Sequence, residues 1–288
     1  MFRLEERAYV FTYLKANKMI PKIIHYCWFG ANPKSLFIKN CIASWKTYLP
    51  DFEIRQWSEK DFDLDSIPFV KQAYEAKKWA FVADYIRLVA LDSVGGIYMD
   101  TDVRVLKPFP DTWFEYDFFS AHEYHPGLYD DLGKKKLNEN YVPYNLDDNI
   151  DGFAILSAVM ASKPGHQFIR DCIAFYNNVN FLNESNTFDI TKVIIGEIIT
   201  KRALKYGYIY KDQRLELQEN MLILESDVLV GNSLLLNDNS YAIHLANGSW
   251  VEKNGLDKFL YKVRNDYPKF YPLSNIVVKL IRKISPNN

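Results

Sequence analysis

Residues 95–102 read Gly-Gly-Ile-Tyr-Met-Asp-Thr-Asp and follow directly on an apolar stretch, residues 78–94. This junction constrains the fold more than any other part of the chain. The stretch carries apolar residues on nearly every helical face, so as a helix it must be surrounded by protein on most sides. Gly95 stands where a helix C-terminal cap is expected, and the glycine pair allows a sharp turn and close approach of a ligand to the backbone. A short apolar run then ends at Asp100 and Asp102. Like charges this close raise each other's pKa unless a cation neutralises them. Hard oxygen ligands of this kind suit Mg²⁺ or Mn²⁺, which share their remaining positions with waters and phosphates. An isolated Asp-x-Asp is more often a solvated turn; the buried helix ahead of it favours a metal site.

Asp84 and Arg87 lie three residues apart inside that apolar helix, hence on one face. Buried charges must be paired or bound to a ligand. Two readings follow: a mutual ion pair, or a pair of side chains directed at the polar ligand that the Asp100/Asp102 metal holds.

Alternating strands and helices surround this centre. Residues 22–29 read as a buried strand followed by a Gly-Ala-Asn-Pro turn, 36–48 as an amphipathic helix and 52–57 as a second strand, which closes a βαβ unit. Residues 67–77 continue as a helix towards the buried one. Strands are expected at 103–106, 118–121 and 152–158, and helices at 164–178 and 190–206. Residues 123–150 are polar with little apolar periodicity; a segment of this kind is either a mobile acceptor-side flap or a plain solvated insertion. The pattern predicts an α/β fold with an open, mostly parallel sheet that binds its ligand at the carboxyl edge. At 288 residues, with no internal repeat or linker, the chain reads as a single domain over 20–266, with an N-terminal extension before it and a basic tail at 267–288.

Composition excludes some classes. The hydrophobic fraction of 48% rules out a disordered chain, and a net charge of −1 offers nothing to nucleic acid. Cys27, Cys41 and Cys172 are odd in number and lack metal-ligand spacing, which points to reduced thiols and a cytoplasmic protein. The N-terminus lacks the uninterrupted apolar core of a signal peptide. In the tail, residues 275–284 are apolar and basic. They suit either an interfacial helix on the inner face of an anionic membrane or a helix packed on its own domain.

The run from Phe81 to Phe109, FVADYIRLVALDSVGGIYMDTDVRVLKPF, resembles the DxD sugar-binding region of family 32 glycosyltransferases. That family includes bacterial capsular polysaccharide transferases and resembles the glucosyltransferase domains of large clostridial toxins. Ile20-Pro21-Lys22-Ile23-Ile24-His25-Tyr26-Cys27-Trp28 is similar to the family's opening strand, and His244 through Ser249-Trp250 to its closing element. The resemblance implies a GT-A nucleotide-sugar fold and retaining transfer of a hexose from a nucleotide diphosphate sugar, UDP-sugar above all, to a glycan acceptor. A lipid-linked acceptor in capsular or surface polysaccharide synthesis is the setting it suggests.

By the same resemblance Asp102 ligates Mn²⁺ or Mg²⁺ directly, and Asp100 assists through the metal, ribose, sugar or water. His244 joins them as a metal or diphosphate contact. Asp84 and Arg87 hold the sugar and diphosphate side, Trp28 stacks the nucleotide base, and Ser249 and Trp250 close over the diphosphate. Tyr98 either contacts the nucleotide or packs, and His25 reads as structural. Asn149 and Asp151 are weaker candidates for the far side of the sugar. Where the family often carries a Thr-Gly-Pro-like turn, this chain has Ile190-Thr191-Lys192-Val193, a departure that leaves the acceptor side open. Two rivals share the donor site: a metal-dependent nucleotide-sugar hydrolase and a non-catalytic nucleotide-sugar-binding protein.

Overall fold

Residues 19–183, 187 and 193–246 are described by the computed structural model. Strand β1 (Ile23–Cys27) is followed by helix α1 (Leu36–Tyr48) and strand β2 (Glu53–Trp57), which lies parallel to β1 with Ile23 opposite Glu53 and Cys27 opposite Trp57. This is the βαβ unit expected from the alternating patterns. Ser35 starts α1 by accepting a hydrogen bond from the Ile38 amide, satisfying one of the donors that a helix leaves open at its N-terminus.

Helices α2 (Pro68–Glu75) and α3 (Trp79–Ser93) follow, close to the expected bounds. Helix α3 is the apolar element of the sequence, and an unbroken run of its side chains from Phe81 to Leu88 is buried. It ends as the glycines require. Gly95 takes a left-handed conformation (φ 72°) while its amide donates to the Leu91 carbonyl. The next residue, Gly96, has a different reason to be glycine. A Cβ there would stand 2.5 Å from the Ile23 carbonyl oxygen, so the close approach it permits is to strand β1 and not to a ligand.

Strand β3 (Gly96–Met99) then runs parallel to β1. It is followed by β4 (Val103–Val105), β5 (Phe118–Tyr124), helix α4 (Pro126–Asp131), β6 (Phe153–Ile155), β7 (Val159–Ser162), helices α5 (Gln167–Tyr176) and α6 (Ile195–Ala203), and strands β8 (Leu215–Leu217), β9 (Met221–Leu224), β10 (Leu229–Val230) and β11 (Ala242–His244). The large sheet has the order β2-β1-β3-β7-β5-β9-β8, with β6 on β5. Strands β2, β1, β3, β5 and β9 share one direction, and β7 and β8 oppose them. The molecule is thus a mixed α/β fold with a large, mostly parallel sheet flanked by helices. A small second sheet, β10-β11-β4, stands beside it.

Three expectations need correction. The strand expected at 152–158 is two strands, because the Ser120 hydroxyl lies 2.8 Å from the Leu156 carbonyl and 2.9 Å from that of Val159 and holds a bend between them. Residues 123–150 are not a structureless loop. They contain α4, a 3-10 turn at Gly133–Lys136 and a bridge between Leu137 and Pro143, and they bury Tyr129, Leu137 and Ile150. The polar helix exteriors hid these three apolar anchors, which lie too far apart to show a period. The helix expected at 190–206 is Ile195–Ala203 with a 3-10 turn after it, and residues 188–192 lie outside the described residues. So do the N-terminal extension through residue 18, Ser249, Trp250 and the basic tail. Among the described residues no helix is long and apolar enough to cross a membrane, and the three cysteines are free and buried.

Candidate functional site

The carboxyl ends of β1 and β3 form the centre of the sheet where the chain, having gone one way to β2, turns the other way. Such a switch point leaves a crevice beyond the strand ends. Register carries Cys27 alongside Asp100 there, since Ile24 faces Ile97 and His25 faces Tyr98. Trp28 follows one residue later.

Asp100 is fixed from three sides. Its amide donates to the Ala158 carbonyl (2.9 Å), and its own carbonyl accepts from the Val103 amide, closing a tight turn over Thr101 and Asp102. The Tyr98 hydroxyl donates to Asp100 Oδ1 at 2.9 Å, and Arg87 Nη2 stands 3.4 Å from the same oxygen. After that turn β4 pairs antiparallel with β11, with Val103 opposite His244, and the Leu245 amide donates to the Asp102 carbonyl. This register sets His244 Nε2 3.3 Å from Asp102 Oδ1. One ligand atom each from Asp100, Asp102 and His244 lies within 4.8 Å of the others. The half-buried carboxylates and imidazole suit a borderline divalent ion such as Mn²⁺, and also accept Mg²⁺. Burial disfavours a charged His244 ring, yet the Asp102 carboxylate, with Asp100 and Glu123 behind it, outweighs burial and raises its pKa to about 9. A site that must hold a proton to balance its carboxylates is one that a cation can occupy instead.

Asp84 and Arg87 pair with each other, Nη2 to Oδ1 at 2.6 Å. The rest of the guanidinium is also engaged: Nη1 donates to the Ser157 carbonyl (2.9 Å), Nε to Ala83 (3.3 Å), and its carbon stands 4.5 Å from the centre of the Tyr98 ring. The expectation that both side chains point at a ligand is therefore corrected in part. Arg87, 3% exposed, acts on the site through Asp100. Burial pushes the Asp84 carboxyl up to about 7, with Arg87 opposing that rise and Asp100 adding to it. Tyr98, expected as a nucleotide contact, is 2% exposed and spends its hydroxyl on Asp100, so it positions that carboxylate.

Trp28 is half-buried at the crevice, its Nε1 donating to the Asn32 carbonyl at 2.7 Å, with the Lys34 ammonium 5.1 Å from the ring centre. One face of the indole thus meets a cation, which also reaches Tyr26 at 5.4 Å. His25 is structural, as expected: Nδ1 accepts from Trp57 Nε1 at 3.0 Å and Nε2 donates to the Gly95 carbonyl at 2.8 Å. Burial lowers its pKa to about 4.

Asn149 and Asp151 lie away from Asp100, tied down by Lys136, which donates to the Asn149 carbonyl (2.9 Å) and to Asp151 Oδ2 (2.6 Å). Sequence reasoning missed the backbone carbonyls of Ser157 and Ala158, which no side-chain pattern announces. It also missed Glu123, whose charge reaches His244 and whose place at the end of an alternating run was readable.

Residues 37–119 match the family model described as a glycosyltransferase sugar-binding region containing a DXD motif. That segment, which is glycosyltransferase-like, includes Asp84, Arg87, Asp100 and Asp102 and stops well short of His244. Comparison with curated proteins finds no match. Among solved structures the chain is similar to the PaToxG glycosyltransferase, with 16% identity, TM-score 0.46 and coverage of 69% of this chain and 78% of that one. It is also similar to a glycosyltransferase involved in the glycosylation of the major capsid of PBCV-1, with 13% identity, TM-score 0.40 and coverage of 78% and 94%. At such scores and identities a likeness settles neither topology nor function.

Proposed function

We propose that this protein is a metal-dependent glycosyltransferase of GT-A type, resembling family 32, which moves a hexose from a nucleotide diphosphate sugar to a hydroxyl of a glycan. The observation that carries the reading is the meeting of Asp100, Asp102 and His244 at the sheet's switch point, within a segment that matches a DXD sugar-binding region. Asp100, Asp102 and His244 would hold a divalent ion, Mn²⁺ or Mg²⁺. When bound, such an ion neutralises the charge that grows on a leaving diphosphate.

The chain's own groups do the rest. The Asp84–Arg87–Tyr98 cluster holds Asp100 in one rotamer, so the site costs little reorganisation when donor arrives. Trp28 offers an indole for the nucleotide base, a contact worth roughly 1–3 kcal/mol in stacked complexes. Ser249 and Trp250 close over the diphosphate and exclude water. No carboxylate stands paired with a nucleophile at the crevice among the described residues. This suits retention through a front-face path in which the diphosphate oxygen takes the acceptor's proton. A UDP-sugar donor, a lipid-linked acceptor in surface polysaccharide synthesis, and docking of the basic tail on the inner membrane face complete the proposal.

Thermal-shift titration of UDP, GDP, CMP and dTDP sugars, with and without Mn²⁺, tests it. A ligand that binds only the folded state adds about 2.7 kcal/mol of stability at a hundredfold excess over its Kd. A Mn²⁺-dependent shift with one nucleotide sugar is expected, followed by transfer of its sugar to a glycan acceptor. A shift with release of free sugar alone would turn the reading to a hydrolase, and no shift with any nucleotide would remove it.

A further inference from the structure

Across the crevice from the donor-side cluster, helix α6 carries a carboxylate that the chain leaves unsatisfied. Glu197 Oε2 is buried and has no hydrogen-bond partner among the described residues. The Tyr210 hydroxyl is in the same condition, on a side chain that is 0% exposed. The two belong to one neighbourhood, since the charge of Glu197 is felt by the phenol of Tyr210. A buried polar group without a partner costs free energy comparable to a lost hydrogen bond, and two side by side call for a third party.

The position relative to the donor site is fixed by one short stretch of chain. Residues 151–158 flank Glu197 at one end and Asp100 at the other. Ala154 Cβ would lie 3.7 Å from a Cβ built on Gly196, while the Ala158 carbonyl accepts from the Asp100 amide. At about 3.3 Å per extended residue, four residues span about 13 Å at most, a reach of one or two sugar rings. Glu123 stands opposite Ala154 in the β5–β6 register, and its charge reaches both Glu197 and His244. The wall is therefore continuous from the putative-ligand atoms of His244 to the unpartnered pair.

The geometry points to Glu197 and Tyr210 as the acceptor-sugar subsite, with the Glu197 carboxyl and the Tyr210 hydroxyl taking hydroxyl groups of an acceptor hexose. This deepens the transferase reading and rests on it. A sugar supplies what the pair lacks, because each hydroxyl both donates and accepts, while the ring's C–H face suits the aromatic wall of Tyr208 and Tyr210. Burial, with the charges of Asp151 and Glu123 adding to it and those of Lys201 and Lys136 opposing, raises the Glu197 pKa to about 7, so the group can present a proton as well as accept one. Asp151 is itself held by Lys136 at 2.6 Å, which leaves Glu197 as the open member of the group.

The test is saturation-transfer NMR of methyl hexosides (gluco, galacto and manno) on the full chain with Mn²⁺ and UDP. Wild type should bind at least one hexoside. Glu197→Ala should weaken that binding by about tenfold or more, Glu197→Gln by less, and Tyr210→Phe by a few-fold, with UDP affinity unchanged in all three. Glu197→Gln and Tyr210→Phe preserve side-chain volume and so keep the comparison within folded protein. UDP binding without hexoside binding, or equal hexoside affinity in all variants, would overturn the subsite alone. A rise in Tm of Tyr210→Phe with unaltered hexoside binding would assign the pair to an internal water and overturn it too. Absence of Mn²⁺-dependent UDP binding to wild type would instead remove the transferase reading, and the subsite with it.

Discussion

The two walls of the crevice treat buried polar groups in opposite ways. On the Asp100 side each group is engaged: Arg87 serves Asp84, Asp100 and the Ser157 carbonyl, Tyr98 serves Asp100, and His25 joins Trp57 to the Gly95 carbonyl. On the Glu197 side a carboxylate oxygen and a phenol face each other's neighbourhood with nothing bound. A closed network holds its members in place whether or not ligand is present. An open one carries a penalty that a ligand can relieve. The difference teaches that the first wall is built to be rigid and the second to be completed.

Substitutions should therefore have opposite signs on the two sides. The largest effect belongs to Asp102→Asn, which should lower kcat on the order of a hundredfold to a thousandfold while Tm stays within about 2 °C. Near-normal metal-dependent transfer by this variant would break the site assignment. Next, Arg87→Met should destabilise the fold by about 3–5 kcal/mol in denaturant titration, because Asp84 and Asp100 are left buried without their cation. Adding Asp84→Asn to it should restore part of that loss; if it restores none, the cost lies in packing and not in the stranded charge.

His25 gives the same wall a pH signature. Its folded-state pKa of about 4 lies below the ordinary value of 6.5, so the unfolded chain binds the proton more readily between those values. Stability from this group is complete above pH 6.5 and is lost as pH falls towards 4, by about 3 kcal/mol at most. His25→Gln should lack that slope in urea titrations at stepped pH. A parallel slope in the variant would place the acid sensitivity elsewhere. Tyr98→Phe should be milder, a few-fold loss of kcat for about 1 kcal/mol of lost hydrogen bonding to Asp100. The smallest effect, and the one of opposite sign, is Tyr210→Phe. Removing an unpartnered hydroxyl should leave stability unchanged or raise it by up to about 1 kcal/mol. A clear loss of stability would mean that the second wall is closed as well.

The first half of the molecule was legible because its signals are local. Periodicity located α1, α2 and α3 and strands β1 and β2 within a few residues, and the Gly95 cap could be read from its place after the apolar run. The second half was harder. Strands β6 and β7 merged into one in the sequence because the bend between them is held by Ser120, far off in the chain. Helix α4 escaped because it is a short helix in a polar stretch with one buried anchor, Tyr129. In the site, Asp100 and Asp102 declared themselves by spacing, whereas the choice between an ion pair and a ligand contact for Asp84 and Arg87 could not be made from a helical offset.

The sequence by itself determined the buried helix, the glycine turn and the pair of carboxylates after it, since each follows from local sterics, burial and charge repulsion. Only the tertiary structure decided which groups share the site. The β4–β11 register sets His244 against Asp102 across more than a hundred residues of chain, and the packing of α6 on β6 leaves Glu197 without a partner. Such encounters depend on where distant strands pair, and no local preference along the chain encodes that.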